Sequence, residues 1–335
     1  MSLAVNKFKI CIIGCGAIAN SMHGPALLKY QSENPDIILC GCCDIDAARA
    51  EMFKEKFKFQ ISYTCFETML AEMSLDAVCL ISPVELTASL AEKILRKGIP
   101  LLLEKPPGRT KEETLCLIKA AEEKNVPHMV AFNRRYASLI RKLKEIIKAD
   151  FSPNAVQSIQ YDMFRVNRLD EDFSTTAIHA IDTAKFIAGS DYKTIHFTYR
   201  DYPEIGKNVS DVHMECTMES GTIVKINICP VTGINMERAV VNFHDHTIFL
   251  DYLGTELIPA GRLLMLQKNK IVLDISGNET KDGKEQFERE GFYYVNKHFF
   301  DSVRNGVNPS GDLKSTLQSV EIADYIRKRI TEFTC

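Results

Sequence analysis

The stretch Phe8-Lys-Ile-Cys-Ile-Ile-Gly14-Cys-Gly16-Ala17-Ile18-Ala19 carries an apolar run straight into closely spaced small residues. It reads as a buried strand that turns directly into a helix. Gly14 allows the tight turn, Gly16 lets the backbone approach a ligand, and Ala19 keeps the helix close to its strand. The free amides around Ala17 and Ile18 and the positive end of the helix dipole face whatever sits in the turn. A pyrophosphate suits them best.

At 335 residues the chain is long enough for two domains of ordinary size. Its 45% hydrophobic and 25% charged residues match a soluble globular protein. The 41 basic residues nearly balance the 44 acidic ones, so there is no electrostatic footprint for nucleic acid or for an anionic membrane. No apolar run approaches the length of a membrane span. The N-terminus shows no charged leader followed by a long apolar core, so a cytoplasmic location is expected. The chain has eleven cysteines, and Cys11, Cys79, Cys116, Cys216 and Cys229 lie inside apolar patterns, where cysteine acts as a small hydrophobe. Cys40-Gly-Cys42-Cys43 lacks a second pair at turn spacing, and His244-Asp-His246 is better explained by a hairpin end. Free thiols and no metal are therefore expected.

Strand and helix patterns alternate over the first third. Short continuous apolar runs at 8–13, 37–43, 76–81, 100–103 and 128–132 are those of strands buried on both faces. Helical patterns at 47–57, 86–97 and 111–124 separate them. This alternation predicts a doubly wound parallel sheet of βαβ crossovers. His23-Gly24-Pro25 is expected to interrupt the first helix, with Pro25 opening a second segment over 26–30. From residue 151 alternating β patterns take over, at 156–166, 194–199, 209–218, 222–228, 238–243 and 248–252. Glu219-Ser-Gly221 is a hairpin signal. Helices are expected at 176–188, 287–304 and 313–331, and a surface loop at 280–284. The fold class is thus α/β: a Rossmann domain over 1–132, then an α+β domain over 133–335 with a large, mostly antiparallel sheet for substrate and oligomerisation.

In a doubly wound sheet, ligands sit beyond the carboxyl ends of the strands. Those ends carry Gly14–Ala19, then Asp44, then Ser82-Pro83, then Glu104-Lys105-Pro106-Pro107. Asp44 stands where an adenosine ribose would offer its hydroxyls. Its carboxylate favours NAD over NADP, and Arg49 nearby leaves NADP as the alternative. Asp44 lies 30 residues beyond Gly14, against a usual interval of about 20; the interrupted helix and the 31–36 loop absorb the excess. Capping the helix near Ala47 is its competing role. Lys105 follows a buried strand and precedes a stiff Pro-Pro turn. Its ammonium would face the cofactor cleft, partly desolvated.

Gly14-x-Gly16-x-x-Ala19, Glu104-Lys105-Pro106, Asn133-Arg134-Arg135-Tyr136 and Thr175-Thr-Ala-Ile-His179-Ala-Ile-Asp182 together resemble the Gfo/Idh/MocA family of NAD(P)-dependent oxidoreductases. The resemblance implies oxidation or reduction of a hydroxyl or carbonyl carbon on a sugar, polyol or derivative. It implies that Lys105 contacts substrate and nicotinamide ribose, that His179 is the acid/base, and that Arg135 and Thr175 lie at the substrate. Two positions depart from the family pattern. Many members have an aspartate where this chain has Thr175, and many have a histidine where it has Thr87. A hydroxyl cannot accept a proton or hold a charged imidazole as a carboxylate does. The second departure is expected to affect only cofactor-side packing. With no Trp in the chain, sugar stacking falls to Tyr136 or Phe164.

The expectation is a homodimeric or homotetrameric dehydrogenase acting on a small carbohydrate-like molecule. Two rivals stand beside it: a dinucleotide-binding sensor without turnover, motivated by Thr175, and a glycosidase that uses NAD for transient oxidation.

Overall fold

The computed structural model describes residues 7–280 and 282–335. The first six residues of the expected 1–132 domain, and Lys281 in the expected 280–284 loop, lie outside the described residues. The first third folds as strands β1 (Phe8–Ile13), β2 (Ile37–Cys43), β3 (Ile61–Tyr63), β4 (Ala77–Leu80), β5 (Leu101–Leu103) and β6 (His128–Val130). Helices α1 (Gly24–Glu33), α2 (Ala47–Phe57), α3 (Phe66–Glu72), α4 (Val84–Arg96) and α5 (Lys111–Lys124) connect them. The strands pair in parallel in the order β3-β2-β1-β4-β5-β6. That is the doubly wound order with its switch point between β1 and β4. Ile10, Ile12, Leu39, Val78, Leu80 and Leu102 have no exposure, as both-face burial demands.

Sequence reasoning placed five of these strands and missed β3 and α3. Three residues of β3, half-buried to exposed at the sheet's edge, carry too little apolar pattern to announce a strand. The first helix is continuous where a break was expected. Residues 17–33 are helical throughout, with a π-turn at Ala19–His23 ahead of α1. The Gly24 amide bonds to the Ala19 carbonyl, five residues back, and the wider turn makes room for Pro25, which has no N–H to give. Gly24 also serves close packing, because a Cβ there would lie 2.5 Å from the Phe57 ring.

The middle of the chain adds α6 (Ser138–Asp150), β7 (Ser158–Phe164), α7 (Ser174–Ala188), β8 (Tyr192–Asp201), β9 (Ser210–Met218), β10 (Ile223–Cys229), β11 (Met236–Phe243), β12 (His246–Asp251), β13 (Arg262–Gln267) and β14 (Lys270–Ser276). The tail adds α8 (Gln286–Arg289), α9 (Phe292–Arg304), α10 (Leu313–Arg327) and β15 (Glu332–Thr334). Strands β7–β15 form one sheet in the order β14-β13-β12-β11-β7-β10-β9-β8-β15. All its pairs are antiparallel except β7 with β10. Alternate residues such as Ile159, Tyr161, Val212, Met214, Val224 and Ile226 are buried on one face, and α7 packs against β7 and β10. Helix α6 and strands β13, β14 and β15 were not foreseen. The expected helix over 287–304 is two helices, divided by Gly291 at φ +87°. The expected helix over 313–331 stops at Arg327.

The chain divides into two units. One comprises residues up to Asn133 together with Gln286–Leu317, the other Arg134–Glu285 together with Gln318–Cys335. A single boundary at 132/133 therefore misses the return of the tail to the first unit. Phe299 and Phe300 of α9 are fully buried there, Phe300 tilted against Tyr30 at 5.2 Å.

In the second unit the Glu237 carboxylate has no exposure. It receives Arg134 Nε at 2.7 Å, the Tyr161 hydroxyl at 2.7 Å and the Arg165 guanidinium. Burial pushes its carboxyl up, but the two guanidiniums outweigh burial and hold it down at about 2. A depressed carboxylate contributes stability above its unfolded value of about 4.5, and that contribution is lost as pH falls toward about 2. Glu237→Gln is expected to cost about 3–5 kcal/mol in urea unfolding at pH 7, since the Arg134 and Arg165 charges stay buried. The variant should also lack this part of the wild-type loss of stability on acidification.

Candidate functional site

In the first unit the carboxyl ends of β1, β2, β4 and β5 hold the residues singled out from the sequence. Gly14 sits at φ +94°, and a Cβ there would lie 1.9 Å from the Ile81 carbonyl oxygen. Only glycine fits both the conformation and the approach. Its amide donates to the Cys43 carbonyl at 2.8 Å, so the turn closes against β2 as well. At Gly16, by contrast, a Cβ would meet nothing within 4 Å. Packing within the protein does not demand glycine at 16, whereas a ligand backed onto the helix start would. Ala17 and Ile18 are exposed beside it and Ala19 is buried. The residues thus fit a dinucleotide pyrophosphate at the helix N-terminus.

Asp44 is buried at the end of β2. One carboxylate oxygen accepts the Cys15 amide at 2.9 Å and the other the Asp46 amide at 3.0 Å. It therefore braces the glycine turn directly, and its second oxygen also receives the Arg49 guanidinium. The capping role considered for it falls to Asp46, whose carboxylate accepts the Arg49 amide. Arg49 stands 3.5 Å from Asp44, half exposed. After β4, the Ser82 and Thr87 hydroxyls lie 2.9 Å apart, and Thr87 donates to the Pro83 carbonyl at 3.1 Å. Thr87 thus braces the Ser82-Pro83 turn.

After β5, one Glu104 oxygen accepts the Lys105 amide at 3.1 Å, and the other lies 2.9 Å from His23 Nε2. Burial raises the Glu104 carboxyl, and the His23 bond together with the Lys105 charge and amide overcomes it, leaving the group below its ordinary value. The Lys105–Pro106 bond is cis, and Lys105 is half-buried. Sequence reasoning missed His23. The residue lies 81 positions from Glu104, and its only signal was a histidine on a helix otherwise read as interrupted.

In the second unit His179 is buried in the second turn of α7. Thr175, one turn earlier, donates its hydroxyl to the Asp172 carbonyl at 3.1 Å. Thr176 receives Arg168 at 3.3 Å. Arg135, expected at the substrate, has its guanidinium paired with Asp182. Nε lies 2.8 Å and a terminal nitrogen 2.5 Å from the two oxygens of buried Asp182, which also accepts the Ser319 hydroxyl. The pair ties the Asn133–Tyr136 turn to α7, one turn beyond His179. His244 and Asp245 form the two-residue turn between β11 and β12, with Asp245 at φ +62°.

Residues 8–132 match the model of the GFO_IDH_MocA family, described as an oxidoreductase family with an NAD-binding Rossmann fold. The chain is 22% identical to D-apiose dehydrogenase of Rhizobium rhizogenes over 245 residues, 68% of each chain. It is 25% identical to inositol 2-dehydrogenase of Salmonella typhimurium over 244 residues, 67% of this chain and 71% of that one. A crystal structure of a Gfo/Idh/MocA family oxidoreductase from Vibrio cholerae superposes with a TM-score of 0.81 at 21% identity, covering 97% of this chain and 98% of that one. The fold is therefore the one this family shares.

The contrast between the two glycines is testable. Gly14→Ala should destabilise the protein by more than about 2 kcal/mol, through strain and collision with Ile81. Gly16→Ala should change stability by less than about 1 kcal/mol yet weaken NAD binding at least about tenfold. Denaturant unfolding and calorimetric titration separate the two effects.

Proposed function

We propose, from the membership of residues 8–132 in the Gfo/Idh/MocA oxidoreductases, that this chain is an NAD-dependent dehydrogenase acting on a hydroxyl or carbonyl carbon of a sugar or polyol. The observation that carries the reading is the open space at Gly16 beside a helix start, with Asp44 braced at the next strand end. NAD, when bound, supplies the hydride acceptor or donor. The first-turn amides around Ala17 hold its pyrophosphate, and Asp44 accepts from the adenosine ribose. Ser82, Pro83 and Glu104, at the following strand ends, would also hold NAD. Lys105 orients the substrate oxygen and offsets negative charge that develops on it. His179 takes or returns the hydroxyl proton. Thr175 places a hydroxyl, not a carboxylate, one helical turn before His179.

No observation favours the sensor or the NAD-assisted glycosidase, and the relatives matched above are dehydrogenases. The solvent side of the large sheet exposes Ile223, Phe249, Ile271 and Val272, which supports assembly of a homodimer or homotetramer through that face. Thiols left free, such as the buried Cys40, Cys42 and Cys43, fit a reducing, cytoplasmic setting.

A screen of polyols, inositols, aldoses and sugar acids with NAD and NADP, followed by NADH absorbance, tests the function. Tight NAD binding with no turnover on any of them, in a protein indifferent to His179→Ala, would return the sensor to first place. Lys105→Met should leave NAD affinity within a few-fold while turnover falls by roughly two orders of magnitude. Collapse of NAD binding instead would make Lys105 a cofactor ligand. Asp44→Ser should narrow the preference for NAD over NADP by about 1–2 kcal/mol, measured by calorimetry of both cofactors.

A further inference from the structure

His23 has no exposure, and both of its ring nitrogens are occupied. Nδ1 lies 3.1 Å from the Asn296 side-chain nitrogen, which also donates to the Phe292 carbonyl at 2.7 Å. Nδ1 also lies 3.5 Å from the Asn296 oxygen, but its shorter contact is to the amide nitrogen, which can only donate, so Nδ1 accepts and Nε2 carries the ring proton. Nε2 then donates to Glu104, whose other oxygen takes the Lys105 amide. Phe292 meets the imidazole edge-on at 5.3 Å, and Asn296 is itself fully buried. The result is a continuous buried line, Phe292 carbonyl to Asn296 to His23 to Glu104 to the Lys105 amide. It starts on α9, crosses the π-turn that ends at His23, and ends at the residue assigned to the substrate oxygen. The charged and titratable groups facing His23 along this line are Glu104 and, through it, Lys105; the Cys79 thiol lies 3.9 Å from the Asn296 oxygen.

We propose that His23 is a positioning residue for Lys105. It fixes the Glu104 carboxylate in its ionised form and in one orientation, and Glu104 in turn sets the place and charge environment of the lysine. This rests on the reading of Lys105 as the residue that acts on substrate. Removal of the imidazole leaves a buried carboxylate without its donor, which favours the protonated acid and turns it from Lys105. His23 also belongs to the helix that receives the cofactor phosphates, so one buried residue links cofactor seat and lysine.

The test compares His23→Leu, His23→Gln and Glu104→Gln with the double variant His23→Leu/Glu104→Gln. His23→Leu should lower kcat by roughly ten- to a hundred-fold, with the KM for NAD within a few-fold. Gln at 23 can still donate to Glu104 and should restore most of the loss. In the Glu104→Gln background, His23→Leu should cost less than about twofold more, because its effect runs through the missing carboxylate. A second readout needs no turnover: in protein carrying 13C-labelled lysine, the Lys105 side-chain resonance and its pH titration should move in both His23→Leu and Glu104→Gln. If His23→Leu does not fold, Glu104→Gln and His23→Gln carry the same comparison. An equal cost of His23→Leu in both backgrounds, or an unmoved Lys105 resonance, overturns the proposal. A protein without any dehydrogenase turnover defeats the functional reading instead, and the lysine resonance still decides the role of His23.

Discussion

The contact on which the first unit depends is the approach of Gly14 to the Ile81 carbonyl. It lets the ends of β1 and β4 come together at the place where the sheet's winding reverses. A side chain at 14 would push the two strand ends apart. Beside that contact the helix begins at Ala17 and the Cys15 amide reaches Asp44. The glycine at 16 has no such duty inside the protein. Of the two glycines of one motif, folding holds Gly14 in place but makes no demand on Gly16.

The parallel sheet was legible in the sequence because burial on both faces writes a continuous apolar run, and β1 and β2 have the bounds that those runs gave. The edge elements were not. Strand β3 is three residues long, and β14 exposes Ile271 and Val272 where an alternating pattern would place polar residues. Helix α6 carries its apolar residues Leu139, Ile140, Leu143 and Ile146 at helical spacing, yet no element was assigned to its stretch, which follows the Asn-Arg-Arg-Tyr motif. In the site, residues fixed by local chain geometry were legible: the glycine turn, Asp44 and the Glu-Lys-Pro turn. Residues defined by partners far along the chain were not. His23 gains its meaning from Glu104, and Arg135 is paired with Asp182, 47 positions away. A sequence shows which groups can form an ion pair but not which of them meet.

The two adjacent arginines after β6 show how the second unit manages buried charge. Arg134 and Arg165 share one carboxylate, Glu237, with the Tyr161 hydroxyl filling a further lone pair. Arg135 makes a forked pair with Asp182, which also accepts the Ser319 hydroxyl. Such pairs contribute modest net stability, but each is costly to break from one side. They fix α7 and the start of the second unit to its sheet with directional bonds, which apolar packing alone does not supply.

The return of Gln286–Leu317 to the first unit has a consequence for the order in which the molecule is made. A ribosome emits the nucleotide-binding half first, yet the aromatic side chains that cover Tyr30 and Phe8 arrive only after some 150 residues of the other unit. Until then the nascent half has an exposed apolar flank, and His23 lacks Asn296. The unit whose synthesis begins first is therefore complete only at Leu317, after most of the other unit has been made. Bacterial or eukaryotic, any translation system that pauses within the large sheet would hold this half unfinished and open to chaperones.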